Sequence, residues 1–245
     1  MKEFIGVDSC SIGWLCFILD SNMNWTLKLF KTVQDLYASY SRAELILIDI
    51  PIGLRKTSGV PRLCDKEARR YLTRKRSSSI FPTPCRDILE IYNYHEVNRI
   101  SKEKCGKGIS KQTWNIISEI KEVDILLRNN LEAKKLFIES HPEVCFTALN
   151  KDKPLEFYKK TKKGIQKRIN LLLSHLKFDK DPLEFGLNNY KRNEVASDDI
   201  LDAWILGISA TLGRNNLEFL PEDYEYDSEG LPMRIAKPKF QGFVN

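Results

Sequence analysis

Apolar residues gather in short runs along this chain, each bounded by polar turn residues. Phe4-Ile5-Gly6-Val7-Asp8 opens it, and a turn from Ser9 to Gly13 follows. Trp14-Leu15-Cys16-Phe17-Ile18-Leu19-Asp20 and Trp25-Thr26-Leu27-Lys28-Leu29-Phe30 read as the next two strands. Ser21, Asn22 and Asn24 supply turn chemistry between them, so the three runs predict an antiparallel meander. Val33-Gln34-Asp35-Leu36-Tyr37 has helical spacing and predicts a crossover to a fourth strand, Leu45-Ile46-Leu47-Ile48-Asp49. Its unbroken apolar run suits a central strand covered on both faces.

Beyond Pro51-Ile52-Gly53-Leu54 the pattern turns helical. Helices are predicted over 65–73, 87–97, 110–129 and 166–176, with a fifth strand over 135–143. In the third of these helices Trp114, Ile117, Ile120, Val123, Leu126 and Leu127 form an amphipathic stripe, read as core. The last long helix opens at Ser197, a good N-cap, and is apolar almost all round, so it is expected to be buried. Past Gly213 the chain reads as polar and irregular, and Leu231-Pro232-Met233-Arg234-Ile235 as a short apolar tail laid on the surface. No Gly/Ser/Pro-rich linker divides the chain. The expectation is a single α/β domain over residues 1–245, with a mixed sheet of meander plus parallel strands, flanking helices, and a helical insertion over roughly 55–130.

Composition narrows the function classes. The 245 residues are 42% hydrophobic, enough for a substantial core, which excludes global disorder. A net charge of +6 permits a nucleic-acid or phosphorylated partner without requiring one. The six cysteines, Cys10, Cys16, Cys64, Cys85, Cys105 and Cys145, form no C-x-x-C pair, which argues against a zinc framework and for reduced thiols in a cytoplasmic protein. No signal peptide is expected at the N-terminus, and no apolar run approaches the roughly 18–20 residues needed to span a bilayer.

Acids end three of the predicted strands. Parallel neighbours would bring Asp8 and Asp49 together at the sheet edge where open α/β sheets present ligand-binding groups. Two adjacent carboxylates repel and call for a cation between them; the alternative is that each merely ends a strand and caps a turn. Glu139 belongs to the fifth strand. Asp198 and Asp199 sit in the first turn of the last helix, where the helix dipole favours them, whereas Asp202 lies on its buried body and needs a compensating charge. The residues 55–76 are the most basic stretch, followed by Ser77-Ser78-Ser79-Ile80-Phe81-Pro82-Thr83-Pro84-Cys85-Arg86. Arg76, Ser78 and Arg86 there suit phosphate oxygens; the alternative is a solvated basic helix and a Pro-stiffened loop. His141 reads as a proton shuttle, a neighbour of a metal site, or a structural residue. Lys160 belongs to a basic cluster, at the head of a helix, that either meets phosphate or is solvated. Lys104-Cys105-Gly106-Lys107-Gly108 reads as a loop and lacks the spacing of a phosphate-binding P-loop.

The element order with these acids is the ribonuclease H-like arrangement, in which such carboxylates hold two Mg²⁺ or Mn²⁺ ions for phosphodiester hydrolysis. Oxygen ligands without a Cys/His cluster favour hard ions. The resemblance becomes specific at Gly6-Val7-Asp8-Ser9-Cys10, Asp49-Ile50-Pro51-Ile52-Gly53-Leu54, Arg62-Leu63-Cys64-Asp65, Ser78-Ser79-Ile80-Phe81-Pro82-Thr83-Pro84-Cys85-Arg86, Glu139-Ser140-His141-Pro142-Glu143, Asp198-Asp199-Ile200-Leu201-Asp202-Ala203 and Gly230-Leu231-Pro232-Met233-Arg234-Ile235. Together these resemble the domain-of-unknown-function 429 family over roughly the whole chain. The resemblance implies a ribonuclease H-like nuclease fold, with Asp8, Asp49, Glu139, Asp199 and Asp202 as metal-site and catalytic residues; Asp8 is expected to bridge the two ions, because the first strand sits mid-sheet in this fold. Where that family often has Gly after its first Asp, this chain has Ser9. The expected function is a metal-dependent nuclease acting on nucleic acid. The alternatives are an ATPase or sugar-kinase relative, whose duplicated domains and second Gly-rich loop are not evident, and a catalytically silent binding module.

Overall fold

The computed structural model describes residues 2–56, 60–106 and 108–240. Residues 57–59 of the expected insertion and Lys107 of the rejected phosphate-loop segment lie outside the described residues, as do Met1 and 241–245. Strands β1 (Glu3–Cys10), β2 (Gly13–Asp20) and β3 (Trp25–Phe30) form the expected antiparallel meander. Helix α1 (Val33–Tyr40) starts where the Thr32 hydroxyl accepts from the Asp35 N–H, and it crosses to β4 (Leu45–Ile48). Strand β4 runs parallel to β1, and β5 (Phe137–Glu139) parallel to β4. The sheet order β3-β2-β1-β4-β5 is the ribonuclease H-like one, with β1 at its centre.

Period-two alternation sorts the sheet residues into two cores. Ile5, Val7, Ile46, Ile48 and Phe137 pack on one face, together with α1 and with α5 (Ile117–Asn129). Leu15, Phe17, Leu45, Leu47 and Ile138 pack on the other, against α10 (Ser197–Thr211). Gly6 and Asp8 are therefore on the α10 face, and so is Asp49, whose N–H extends the ladder to Val7 O at 3.0 Å. Glu139, two residues after Phe137, is on the opposite face.

Helix α10 approaches β1 at backbone distance. A Cβ at Gly6 would stand 2.0 Å from Gly207 N and 2.2 Å from Ala203 O. Trp204 stacks on Phe17 beside this contact, with ring centroids 5.9 Å apart. The approach also fixes where the acids at the head of α10 meet the end of β1.

Five helices lie between β4 and β5 among the described residues: α2 (Leu63–Arg76), α3 (Tyr94–Cys105), α4 (Lys111–Asn115), α5, and α6 (Leu131–Leu136). The insertion therefore runs on to the start of β5. Several expected boundaries shift for local reasons. The predicted helix over 87–97 is a short turn at Arg86–Ile88 followed by α3, because the Asn93 side chain caps the His95 and Glu96 N–H groups and Gly106 ends the helix at φ 69°. The predicted helix over 110–129 is broken at Ile116, whose φ and ψ of −114° and 9° leave the helical region. The fifth strand shortens to three residues, since Asn130 caps α6 immediately before it. Helix α2 bends at Thr73, which has φ 55°.

After β5 come α7 (Pro142–Leu149), α8 (Lys162–His175) and α9 (Pro182–Asn189); α7 and α9 were not anticipated, and Pro142 and Glu143, expected in the strand, open α7 instead. The C-terminal region is a correction. Strands β6 (Leu217–Tyr226) and β7 (Pro232–Pro238) make an antiparallel ribbon, and Met233 and Ile235 are buried against Cys64, Ala68 and Leu72 of α2. Ser140 Oγ donates to Ala236 O at 2.9 Å, fastening β7 beside the end of β5. The outer strand is mostly polar and exposed, so its sequence carries little hydrophobic signal. No described helix is long and apolar enough to cross a membrane.

The substitution Gly6→Ala tests the close approach. Backbone atoms cannot yield to the new methyl without moving α10 away, so unfolding free energy should fall by about 3 kcal/mol. Urea denaturation measures it, and an unchanged midpoint would contradict the contact.

Candidate functional site

A cavity of about 670 Å³ opens at the C-terminal ends of the parallel strands, between the sheet edge and the inserted helices. Asp8 and Asp49 lie at its floor, Asp198 and Asp199 come from the head of α10, and Lys159 and Lys160 come from the segment before α8. Phe81, Gln112 and Asn115 of the insertion line the same space.

The Asp8 carboxyl sits well above the ordinary carboxylate range, first because it is buried and then because Asp202, Asp49 and Asp199 repel its charge. Burial likewise raises Asp49, against the pull of His141 and then of Lys159, and raises Asp202 against the pull of Lys159. Asp199 is pushed up to about 6, chiefly by burial, although the Ala196 N–H bonded to it at 2.8 Å works the other way. That bond corrects the expected cap: Ser197 is already inside α10, Ala196 has no side-chain acceptor, and the Asp199 carboxylate reaches back to its N–H instead.

Lys159 is the cation within this group. Its Nζ donates to Asp202 Oδ2 at 2.6 Å and stands 3.5 Å from Asp198 Oδ2. Burial lowers its affinity for a proton, but Asp202 and Asp8 outweigh that and hold it well above the usual lysine range. Asp202 Oδ1 is buried and has no hydrogen-bond partner among the described residues.

Glu139 lines the same cavity, as do Arg62 and Asp65, but it is held apart from this cluster. From the opposite face of the sheet it receives Arg62 at both oxygens, at 2.7 and 2.8 Å, and the Ile52 N–H at 2.6 Å. Arg62 is buried and also binds Asp65 and the Ile52 and Gly53 carbonyls, so it ties α2 and the turn after β4 to the end of β5. Burial still pushes the Glu139 carboxyl up to about 7 despite Arg62.

The other expected residues divide. Lys160 lines the cavity with an exposed side chain, 3.6 Å from Asp198. His141 lines it too, but both ring nitrogens are engaged: Nδ1 accepts from the Glu143 N–H at 3.1 Å, capping α7, and Nε2 faces the Ser79 carbonyl at 3.3 Å. Arg76 is mostly buried and stands 3.8 Å from Glu143, outside the cavity lining. Ser78 lies in a neighbouring shallow depression with Arg69 and Phe81. Arg86 does not border the cavity; it clamps Asp124 of α5 to Asp227 of the turn between β6 and β7.

Sequence reasoning missed Lys159, Arg62 and Glu143. Glu143 is buried, pairs with Arg168 and acts on both Asp49 and Asp202. Its position four residues beyond a strand-end acid was the available signal. Nothing local distinguishes Lys159 from its neighbours Lys160, Lys162 and Lys163.

Two measurements check this electrostatic picture. A carboxyl raised by folding binds its proton more tightly folded than unfolded, so its stabilising effect is complete below its ordinary pKa and lost as pH rises through the folded value. Asp199, from 3.8 to about 6, and Glu139, from 4.5 to about 7, set the window. In chelator-treated buffer the melting temperature should fall steadily between pH 4.5 and 7.5; a flat profile would contradict the shifts. Separately, Arg62→Met should destabilise the protein by about 3–5 kcal/mol, because it leaves two buried carboxylates without their counter-charge. Adding Glu139→Gln should recover part of that loss.

Comparison with known proteins gives one result. No curated protein and no solved structure matches this chain. The profile of the family described as "Protein of unknown function (DUF429)" matches residues 6–225. Because the match takes in nearly all of the chain, including β1, β4, β5 and α10 with their acids, the protein belongs to the DUF429 family.

Proposed function

We propose that the protein is a metal-dependent phosphodiester hydrolase, a nuclease acting on nucleic acid. The observation that carries this reading is the convergence of Asp8, Asp49, Asp199 and Asp202 at one sheet edge, with Lys159 as their cation and Asp202 Oδ1 buried without a partner. Among the described residues no three His, Cys, Asp or Glu side chains already form a metal cage. The donor set nonetheless fits a hard divalent ion: all four are carboxylates, they repel one another, and one buried oxygen is unsatisfied. Asp8, Asp49, Asp199 and Asp202 would hold Mg²⁺ or Mn²⁺. Bound there, the metal would supply a water acidified towards neutral pH and a Lewis acid for the leaving oxygen.

The chain's own residues do the rest. An acidic floor repels a phosphodiester until its charge is compensated. Lys160, exposed at the cavity wall, is positioned to receive a phosphate oxygen. Phe81 and Tyr158, exposed rings lining the same cavity, offer faces on which bases can stack. Glu139 serves as a positioning residue through Arg62, not as a ligand. The thiols Cys10, Cys16, Cys64 and Cys145 suit a reducing cytoplasm.

One observation favours the silent-module reading: Lys159 partly neutralises the cluster on its own. The two readings part in a cleavage assay on single- and double-stranded DNA and RNA in Mn²⁺. Wild type should cut at least one of these, and Asp8→Asn should be reduced to background while raising the chelator-treated melting temperature, since it removes a repelled charge. Equal cleavage by both proteins would overturn the assignment. No cleavage by either, with no Mn²⁺ uptake by calorimetry, would leave the silent module.

A further inference from the structure

We infer that Lys159 is a tethered cation occupying one of the two cation positions expected among these carboxylates, so that the centre takes up one divalent ion rather than two. The inference rests on the metal-dependent reading above and specifies its stoichiometry. Asp202 divides its oxygens unequally: Oδ2 accepts from Lys159 Nζ at 2.6 Å, while Oδ1 is buried without a partner among the described residues. One oxygen is thus already committed to an ammonium, and one remains for an ion. Lys159 also stands 3.5 Å from Asp198 and acts on Asp8, Asp49 and Asp199, so from the cavity wall, with its side chain 31% exposed, it faces the whole group.

The backbone on either side of Lys159 is anchored. Buried Arg168 of α8 donates to Phe157 O at 3.3 Å and pairs with Glu143. Thr161 donates to Tyr158 O from both its N–H, at 3.0 Å, and its hydroxyl, at 2.8 Å. A Cβ at Gly164 would come within 1.9 Å of Tyr158 O, so α8 and this turn touch backbone to backbone. Leu155, a few residues earlier, is in the core. A lysine on a free loop could withdraw when a metal arrived; this one is carried on a fixed turn and directed at Asp202.

Electrostatics then limits occupancy. One divalent ion lies beside the ammonium, on the free Oδ1 of Asp202. A second would have to lie against an ammonium that is in hydrogen-bond contact with a shared ligand, cation against cation at the cavity wall.

The test is isothermal calorimetry with Mn²⁺ on wild type, Lys159→Arg and Lys159→Met, each checked for native circular dichroism. Lys159→Gln replaces Lys159→Met if the latter fails to fold. One Mn²⁺ per chain is expected for wild type and Lys159→Arg, and two for the neutral variant. That variant should also show a spin-coupled Mn²⁺ pair by electron paramagnetic resonance. Two ions in wild type, or only one in the neutral variant, would overturn the role of Lys159 and leave the hydrolase reading standing. No Mn²⁺ uptake by any of the proteins would overturn both.

Discussion

The contact between β1 and α10 governs everything near the cavity. Gly6 and Gly207 let a strand and a helix meet with no side chain between them. Asp8 lies two residues beyond Gly6 on the same face, and Asp202 lies five residues, more than one turn, before Gly207. Any larger residue at Gly6 would lift the helix and separate the acids. The apolar burial around this contact, with Leu15, Phe17, Leu47, Trp204 and Leu206, holds like charges together that would otherwise part. Hydrophobic packing therefore works against electrostatics here, and the raised carboxyls are the mark of that opposition.

A second arrangement separates residues that the linear sequence groups. Asp8, Asp49 and Glu139 all lie towards the C-terminal ends of the parallel strands, yet alternation turns Glu139 to the far face, where Arg62 takes both of its oxygens. The same guanidinium reaches Asp65 and two carbonyls after β4. An acid at the sheet edge has thus become a fastening for the inserted helices, which form the opposite wall of the cavity.

How much of this was legible follows from the range of each interaction. The meander, β4 and α10 were legible because their signal is local: apolar runs, turn residues and one buried helix. Asp8, Asp49 and Asp202 followed because a strand end and a buried acid each have a short-range rationale. The facing of Glu139 was recoverable only with the start of β5, which depended on Asn130 capping α6 just before it. Lys159 was not legible, since its partners lie about forty residues away on another element and its neighbours are lysines too. Arg86 misled for a related reason: its Ser/Pro-rich surroundings suggested phosphate, whereas its partners, Asp124 and Asp227, come from distant segments. The strand β7 was hidden by Pro232 and by a mostly polar partner strand, although Met233 and Ile235 alternate as a strand should.

The ribbon of β6 and β7 has a consequence for the order in which the molecule is completed. Met233 and Ile235 cover the inner face of α2, Ser140 is fastened to Ala236, and buried Asp227 accepts from both Arg86 and the Leu54 N–H. These residues follow the sheet and α10 in the sequence, and a chain is made from its N-terminus. Until they emerge, α2 has an uncovered apolar face and Arg86 lacks one of its two acids. The sheet and α10 have all their residues by then, so the acids can already be gathered while the wall opposite them is still unfastened. The wall of the cavity is thus fastened only after every acid at its floor has been made.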